Sequence, residues 1–455
     1  MKRFDEPAAE RKTLIAIASQ RGRTDSFANR DNEMSHSAYV PVVRRRLARV
    51  LPRGVEVLTS PPVTVACSWV VRGGKSPGRG GGQSRIEDVH DILVLRPDGV
   101  GDVVMTGPFL RELRHARPNA RITLIVAPRA LNLVQTCPYV DRVLTIPIPP
   151  PTAVVDAWWR PLARRKAAFS LARRDLWPDS YDLAIVPRWG VDHHEASILA
   201  YLSGATNRVG YSEHVSPEKQ RRNRGNDRFF TLVIDDRSVK HEVERNLALL
   251  SVLQVEPSND KLEIWLSEED EDFASEILAS PEDERYVALG PGAGSPNRRW
   301  PIGRFVELGR SLTDQGARLV VLGGPGEEAL GDELRRRLGS KVVNSIGRTT
   351  LRQSAAVLKR CSLFCGNDTG PMHLAAAEGI PVVEVSCHSQ GGDVLHMNSP
   401  LRFGPWGVPR RIVRPKDPAD GCTTGCRAPE PHCILKVQVD SVIAATSSLI
   451  DEVLS

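Results

Sequence analysis

Short apolar runs recur along this chain with the spacing of alternating strands and helices. Ile92-Leu93-Val94-Leu95 is a continuous apolar run between Asp91 and Arg96, the pattern of a parallel strand buried on both faces. A loop with glycines, Pro97 to Gly101, follows it. Asp102 to Arg117 then places Val103, Met105, Leu110 and Leu113 at helical spacing and ends before Pro118. Ile122 to Val126 predicts the next strand, Leu131 and Val134 a helix, and Val143 to Ile146 a third strand. Strand Leu183 to Val186 and helix Glu195 to Leu202 resume the alternation.

The pattern begins again farther on. His241 to Val255, with Leu247, Leu250 and Leu253, predicts a helix that runs into polar Glu256 to Lys261. We set the division between two lobes there. The second lobe predicts strands at Tyr286 to Leu289, Arg318 to Leu322, Val342 to Ile346, Ser362 to Cys365 and Val382 to Val385. Helices fall between them, from Pro301 to Gly316, Glu327 to Leu338, Leu351 to Arg360 and Gly370 to Glu378. Such βα alternation specifies an α/β fold of two Rossmann-like, doubly wound lobes. Ligands of open α/β sheets bind at the carboxyl ends of the strands, so the expected site is a central cleft between the lobes. The expected domains are 1–88, a basic extension; 89–255, the first lobe; and 256–455, the second.

Two stretches break the pattern. Met1 to Ile86 has no sustained periodicity, carries Arg44-Arg45-Arg46, and ends in a Gly/Arg/Ser tract from Gly73 to Arg85. It reads as a disordered extension or an early start, with a basic membrane-contacting arm as the rival. Pro147 to Pro178 contains Pro149-Pro150-Pro151, then a basic stretch from Arg160 to Arg174 near Trp158 and Trp159. It reads either as a solvated helix face or as a surface for an anionic lipid-linked acceptor or the membrane.

Length and charge narrow the class. A chain of 455 residues suits two lobes rather than one core. The formal charge of +6 comes from 61 basic and 55 acidic residues, and much of the excess lies in the first ninety or so. The body is therefore near neutral, and nucleic acid is not an expected partner. No apolar run approaches the ~18–20 residues of a membrane span, and no secretory leader is evident. Eight cysteines in so long a chain fit a reducing cytoplasm better than a disulfide scaffold.

The candidate chemistry sits in the loops after strands. Asp102 opens a helix behind Asp98-Gly99-Val100-Gly101, either as a plain helix-start carboxylate or as a general base at the cleft mouth. Gly99 and Gly101 would let a sugar approach the backbone. Gly290-Pro291-Gly292-Ala293-Gly294 leaves amides for an anion, and Arg298 or Arg299 could neutralise a diphosphate. Gly366-Asn367-Asp368-Thr369-Gly370-Pro371-Met372-His373 joins a strand end to a helix start, which favours phosphate. Glu327 follows Gly323-Gly324-Pro325-Gly326, without the full spacing of a dinucleotide fingerprint. Asp270-Glu271-Asp272 follows Ser267 and reads as helix-start acids. Cys422, Cys426, His432 and Cys433 are not read as a metal site, because adjacent His432 and Cys433 do not readily serve one tetrahedral ion.

Four of these elements occur in a familiar order: Leu95-Arg96 through Gly101-Asp102-Val103-Val104, Gly290 through Pro301, Gly323 through Glu327, and Asp368 through His373. In this the chain resembles glycosyltransferase family 9, the heptosyltransferase-like enzymes. His241-Glu242 before an apolar helix resembles that family's segment between lobes. The resemblance implies a GT-B fold and an inverting glycosyltransferase without an essential metal or cofactor. It implies a nucleoside-diphosphate sugar as donor, ADP-heptose by family default, and a cell-envelope glycan or glycolipid acceptor at the cytoplasmic face of the membrane. By position, Asp102 takes the role of base and Arg298 meets the diphosphate. Gly292, Ala293, Gly294, Glu327, Asp368, Thr369, Gly370 and His373 face the nucleotide sugar, and Arg96, Gly99 and Gly101 face the acceptor. Ala293 and Gly294 depart from the hydroxyl residues of the well-known heptosyltransferases, which leaves the donor sugar open. A sugar-nucleotide epimerase or hydrolase of the same fold, and a non-catalytic nucleotide-binding protein, are the alternatives.

Overall fold

The computed structural model describes residues 89–146, 160–278, 285–422 and 430–454. The expectations placed on 1–88, on Pro149 to Pro151, on Trp158 and Trp159 and on Cys426 lie outside them.

The first lobe runs β1 (Asp91–Arg96), α1 (Val100–Val104), α2 (Gly107–Ala116), β2 (Arg121–Val126), α3 (Leu131–Val134), β3 (Arg142–Thr145), α4 (Arg160–Leu171), β4 (Leu183–Val186), α5 (Ala196–Leu202), β5 (Asn207–Tyr211), α6 (Pro217–Arg222), β6 (Leu232–Ile234) and α7 (Glu242–Ala248). The second runs α8 (Glu268–Ile277), β7 (Tyr286–Gly290), α9 (Ile302–Asp314), β8 (Arg318–Val321), α10 (Glu328–Leu338), β9 (Val342–Asn344), α11 (Leu351–Lys359), β10 (Leu363–Asn367), α12 (Gly370–Ala377), β11 (Val382–Val385), α13 (Pro400–Phe403), β12 (Arg410–Val413) and α14 (Val439–Leu454).

Each lobe carries one six-stranded parallel sheet, in the orders β3-β2-β1-β4-β5-β6 and β12-β11-β10-β7-β8-β9. Both are the doubly wound order, and the direction of winding reverses between β1 and β4 and between β7 and β10. Loops leaving the carboxyl ends of those central pairs diverge to opposite faces and open a crevice there. The fold is the expected α/β pair of Rossmann-like lobes. The central strands are apolar and buried on both faces, from Ile92 to Leu95 and from Leu363 to Cys365.

The structure corrects several elements. The helix expected from Asp102 to Arg117 is two helices, broken at Met105 and Thr106. Pro108 has no N–H for the carbonyl one turn back, and Thr106 donates its hydroxyl to the Asp102 carbonyl at 2.8 Å. The helix expected over His241 to Val255 is α7 followed by a 3-10 turn, Leu249–Leu253. Strands β5, β6 and β12 and helix α14 were not foreseen. Gly210 sits in β5 because the Phe230 ring lies where a Cβ would stand, 2.4 Å away.

The lobes are packed together, not merely tethered. One apolar cluster continues from Val103, Phe109 and Leu113 of the first lobe to Ala355, Met372 and Leu374 of the second. Polar latches flank it. Arg352 donates from Nε to Asp270 at 2.7 Å and from its amide to Asn132 Oδ1 at 3.1 Å. Asp270 also accepts from the Ser267 amide at 3.0 Å, so the acidic triplet starts a helix, as its position after Ser267 suggested. On the other side Arg402 donates to buried Glu242 at 3.1 Å from Nε.

Candidate active site

The loop from β1 into α1 is held from below by Arg96, whose side chain is fully buried. Its Nη1 donates to the Pro187 carbonyl at the end of β4, and its Nη2 reaches Asp102 Oδ1 at 3.3 Å. Adjacent strand ends β1 and β4 are thereby tied together at the reversal of winding. Arg188, next along, donates from Nη1 to the same Asp102 oxygen at 3.0 Å. The Gly99 amide donates to Asp102 Oδ2 at 3.1 Å. Asp102 is thus the third residue of its helix with a bond back to the loop amide, and its side chain retains 17% exposure.

Asp98 lies 3.5 Å from each of Arg96 and Arg188, so two carboxylates share two guanidiniums. Burial acts to raise the Asp102 carboxyl, but Arg188, Arg96 and the Gly99 amide outweigh it and hold it below the ordinary aspartate value. Asp98 goes the other way, because burial dominates there. Arg188 was missed in the sequence. No local motif marks it, and only its place after the strand beside β1 could have found it. Buried Lys219 fixes its loop by donating to the Arg188 and Tyr211 carbonyls at 3.0 and 2.9 Å.

In the second lobe Asn367 organises the loops. It ends β10, fully buried, and donates to the Pro291 and Gly292 carbonyls at 2.8 and 3.1 Å while accepting from the Trp300 amide at 3.1 Å. The glycine loop after β7 and the Arg298 turn are thereby fixed to the strand that carries Asp368. Arg298 stands 3.5 Å from Asp368. Arg299 donates to the Ala293 carbonyl at 3.0 Å and stands 3.7 Å from Glu327. A Cβ on Gly292 would meet Glu327 Oε2 at 2.1 Å, so a side chain there would have to displace the Glu327 carboxylate. Thr369 stands at the N-cap of α12 and turns its hydroxyl to the Asn367 carbonyl at 3.3 Å.

The two loops meet at His373, on the first turn of α12. A Cβ on Gly101 would lie 2.3 Å from His373 Cδ2, and one on Gly370 would lie 3.3 Å from Val100. His373 is buried, and burial lowers its imidazole, opposed by Asp368 and Asp102. Asp102, Arg96, Gly99, Gly101, Asp368, Gly370, His373 and Arg298 therefore gather around one point between the lobes. Gly292, Ala293 and Glu327 form a second group beside it, with Gly294 close to Arg298.

The model of glycosyltransferase family 9 (heptosyltransferase) matches residues 170–417 of this sequence. The chain belongs to glycosyltransferase family 9. It is 25% identical over 313 residues to lipopolysaccharide heptosyltransferase 2 of Escherichia coli (strain K12), covering 64% of this chain and 81% of that protein. The crystal structure of a family 9 glycosyl transferase from Veillonella parvula superposes with a TM-score of 0.63 at 22% identity, over 80% of this chain and 98% of that one. The E. coli ADP-heptose heptosyltransferase II superposes with a TM-score of 0.57 at 21% identity, over 80% and 100%. The two superpositions speak for the fold, and the family match makes this chain a glycosyltransferase.

The basic stretch of the first lobe is α4 and a wide turn, Ala172–Leu176. Ala168, Leu171 and Leu176 are buried on it while Lys166, Arg173 and Arg174 face outward. The sequence argument against one ion shared by Cys422, His432 and Cys433 does not carry over to the fold, where one donor atom from each lies within 4.8 Å of the others. Among the described residues no helix is long and apolar enough to cross a membrane.

Gly101→Ala is expected to lower transfer by roughly 10²-fold, because the methyl must displace His373 and misplace the two lobes' groups. Unchanged circular dichroism with a depressed kcat is the expected pair of readings. A wild-type kcat would show that this approach does not matter to turnover.

Proposed function

We propose that this enzyme transfers a heptose from ADP-heptose to a hydroxyl of an anionic cell-envelope glycolipid, with inversion and without a metal at the diphosphate. The meeting of Asp102 with the Arg298, Asp368 and His373 group across the Gly101 contact carries the reading. Asp102 takes the proton of the acceptor hydroxyl as that oxygen bonds to the anomeric carbon. The bond from that carbon to the diphosphate oxygen breaks, and the nucleoside diphosphate leaves with the electron pair. Attack from the face opposite the leaving group inverts the centre. Arg298 and the amides at the start of α12 take up the charge on the departing diphosphate, the task a divalent ion performs in other sites.

The names of its relatives support heptose as the sugar: lipopolysaccharide heptosyltransferase 2 and lipopolysaccharide heptosyltransferase 3 of E. coli both align with it. The outward basic residues of α4 and its turn support an anionic acceptor presented at the cytoplasmic face of the membrane. Glu327 and the glycine loop are assigned to the nucleoside and sugar, Gly99 and Gly101 to the acceptor.

Calorimetry of the full chain against ADP, UDP, GDP and their sugar conjugates tests the donor assignment. ADP and ADP-heptose are expected to bind. Arg298→Ala should weaken both by roughly 10- to 100-fold, the effect of losing hydrogen bonds from a charged group. Binding of UDP or GDP in place of ADP would remove the heptose donor, and binding of none would remove the donor site from this lobe.

A further inference from the structure

A second cluster lies apart from Asp102, under the Arg298 turn. His432 stands just before a 3-10 turn, Cys433–Lys436, with φ −144° and ψ −59°. That backbone folds its ring back over the next residue. Nδ1 comes within 3.2 Å of Cys433 Sγ and 3.7 Å of Cys422 Sγ, and Nε2 lies 3.4 Å from Cys422 Sγ. For metal–sulfur bonds of about 2.3 Å and metal–nitrogen bonds of about 2.0–2.1 Å, the sulfur–nitrogen edge of a tetrahedron is about 3.5 Å. Nδ1 also accepts from the Cys433 amide at 2.7 Å, which leaves Nε2 to face an ion, and one donor atom of each side chain lies within 4.8 Å of the others.

Three further observations suit a metal. The Ala419 amide points at Cys433 Sγ at 3.2 Å, a contact that stabilises a thiolate. The three residues line a cavity of about 30 Å³, room for an ion with one water and far too little for a nucleotide or sugar. Cys433 is buried and Cys422 half-buried, so the ion would be shielded yet reachable.

We propose that Cys422, His432 and Cys433 bind one thiophilic transition-metal ion, Zn²⁺ or Fe²⁺, that staples the segment after β12 to the C-terminal helix beneath the Arg298 turn. Binding releases one proton from each thiol, and the two thiolates balance the charge of the ion. A neutral imidazole nitrogen is the third ligand. The ion takes no part in sugar transfer. Its position explains its use. Asn297 lines the same cavity, and the Pro296–Arg298 turn packs on Cys433–Lys436. Trp300 Nε1 donates to the Val437 carbonyl at 3.0 Å, and Arg304 Nη1 to the Leu435 carbonyl at 2.8 Å. Ile434 and Val437 are buried in the second lobe's core. Fixing His432 and Cys433 thus fixes the floor under Arg298.

The full chain, expressed without a metal-binding tag, is assayed for zinc and iron by elemental mass spectrometry and then loaded with Co²⁺ after chelation. The expected result is roughly one ion per chain, zinc or iron by direct assay, and a thiolate-to-cobalt charge-transfer band of a tetrahedral site. Cys422→Ser, at the more exposed ligand, should lose both while its circular dichroism stays that of wild type. Cys387→Ser, on the same cavity but outside the three, should keep both. Neither reading uses a donor or acceptor, so this test stands apart from that of the transferase assignment. Absence of stoichiometric metal, retention of the ion in Cys422→Ser, or a Cys422–Cys433 disulfide in the isolated protein would each overturn the proposal.

Discussion

Asp102→Asn is expected to lower sugar transfer by roughly 10²–10⁴-fold, the range for removing a positioned general base, while ADP-heptose binding stays within about twofold. The substitution keeps the shape of the side chain and can keep its bond to the Gly99 amide. It removes the charge that Arg96 and Arg188 converge on at 3.3 and 3.0 Å. Turnover and donor affinity measured on the same preparation separate the two effects, and an undiminished rate would take Asp102 out of the reaction. The pH profile is a further check. The folded carboxyl lies below the ordinary aspartate value of 3.8, so Asp102 stays ionised as pH falls from neutrality to about 5. No acid limb in that window belongs to it. The same depression contributes stability above pH 3.8 that is lost as pH falls through the lower folded value.

Arg402→Ala is expected to have the largest effect on stability, a loss of about 3–5 kcal/mol, because it strands a buried carboxylate. Glu242 is 0% exposed and Arg402 bonds it from both Nε and Nη2, at 3.1 and 2.5 Å. The guanidinium also covers the Trp189 ring, 4.6 Å from its centroid, with Arg245 at 3.9 Å from the same ring. Since α13 lies between β11 and β12 of the second sheet and Glu242 opens α7, the pair pins one segment onto the other. Urea unfolding of Arg402→Ala, Glu242→Gln and the double variant measures it. The double variant should recover part of the loss, because the carboxylate is then neutral while buried Arg245, 3.9 Å from Glu242, gives up its own counter-charge. Simple additivity would show that the two side chains do not act as a pair.

Legibility followed the range of the interaction. Strands Leu183–Val186 and Val382–Val385 were readable to the residue, the first from four consecutive apolar residues and the second from three valines that outweigh Glu384, both local signals. Strand Arg410–Val413 was not. It lies at a sheet edge, half-exposed and with two arginines, and an edge strand need not look apolar. Strand Asn207–Tyr211 carries a glycine that makes sense only beside Phe230, a residue of the neighbouring segment. Thr106 and Pro108 interrupt the helix expected from Asp102 to Arg117, which the apolar spacing across them had made look continuous.

By itself the sequence determined the alternation of elements, and hence that two doubly wound sheets form. It also marked the loops proposed to hold chemistry, because loops at strand ends announce themselves by glycine, carboxylate and basic residues in short order. Only the tertiary structure decided which groups act together. Arg188 reaches Asp102 across 86 residues of chain and Arg402 reaches Glu242 across 160. Gly101 owes its identity to His373 of the other lobe, and Cys422 meets His432 through a turn whose backbone angles no spacing rule encodes. Periodicity is a property of neighbours within a few residues. The pairing of charges across a cleft depends on strand order and lobe packing, which arise only when the apolar faces find one another.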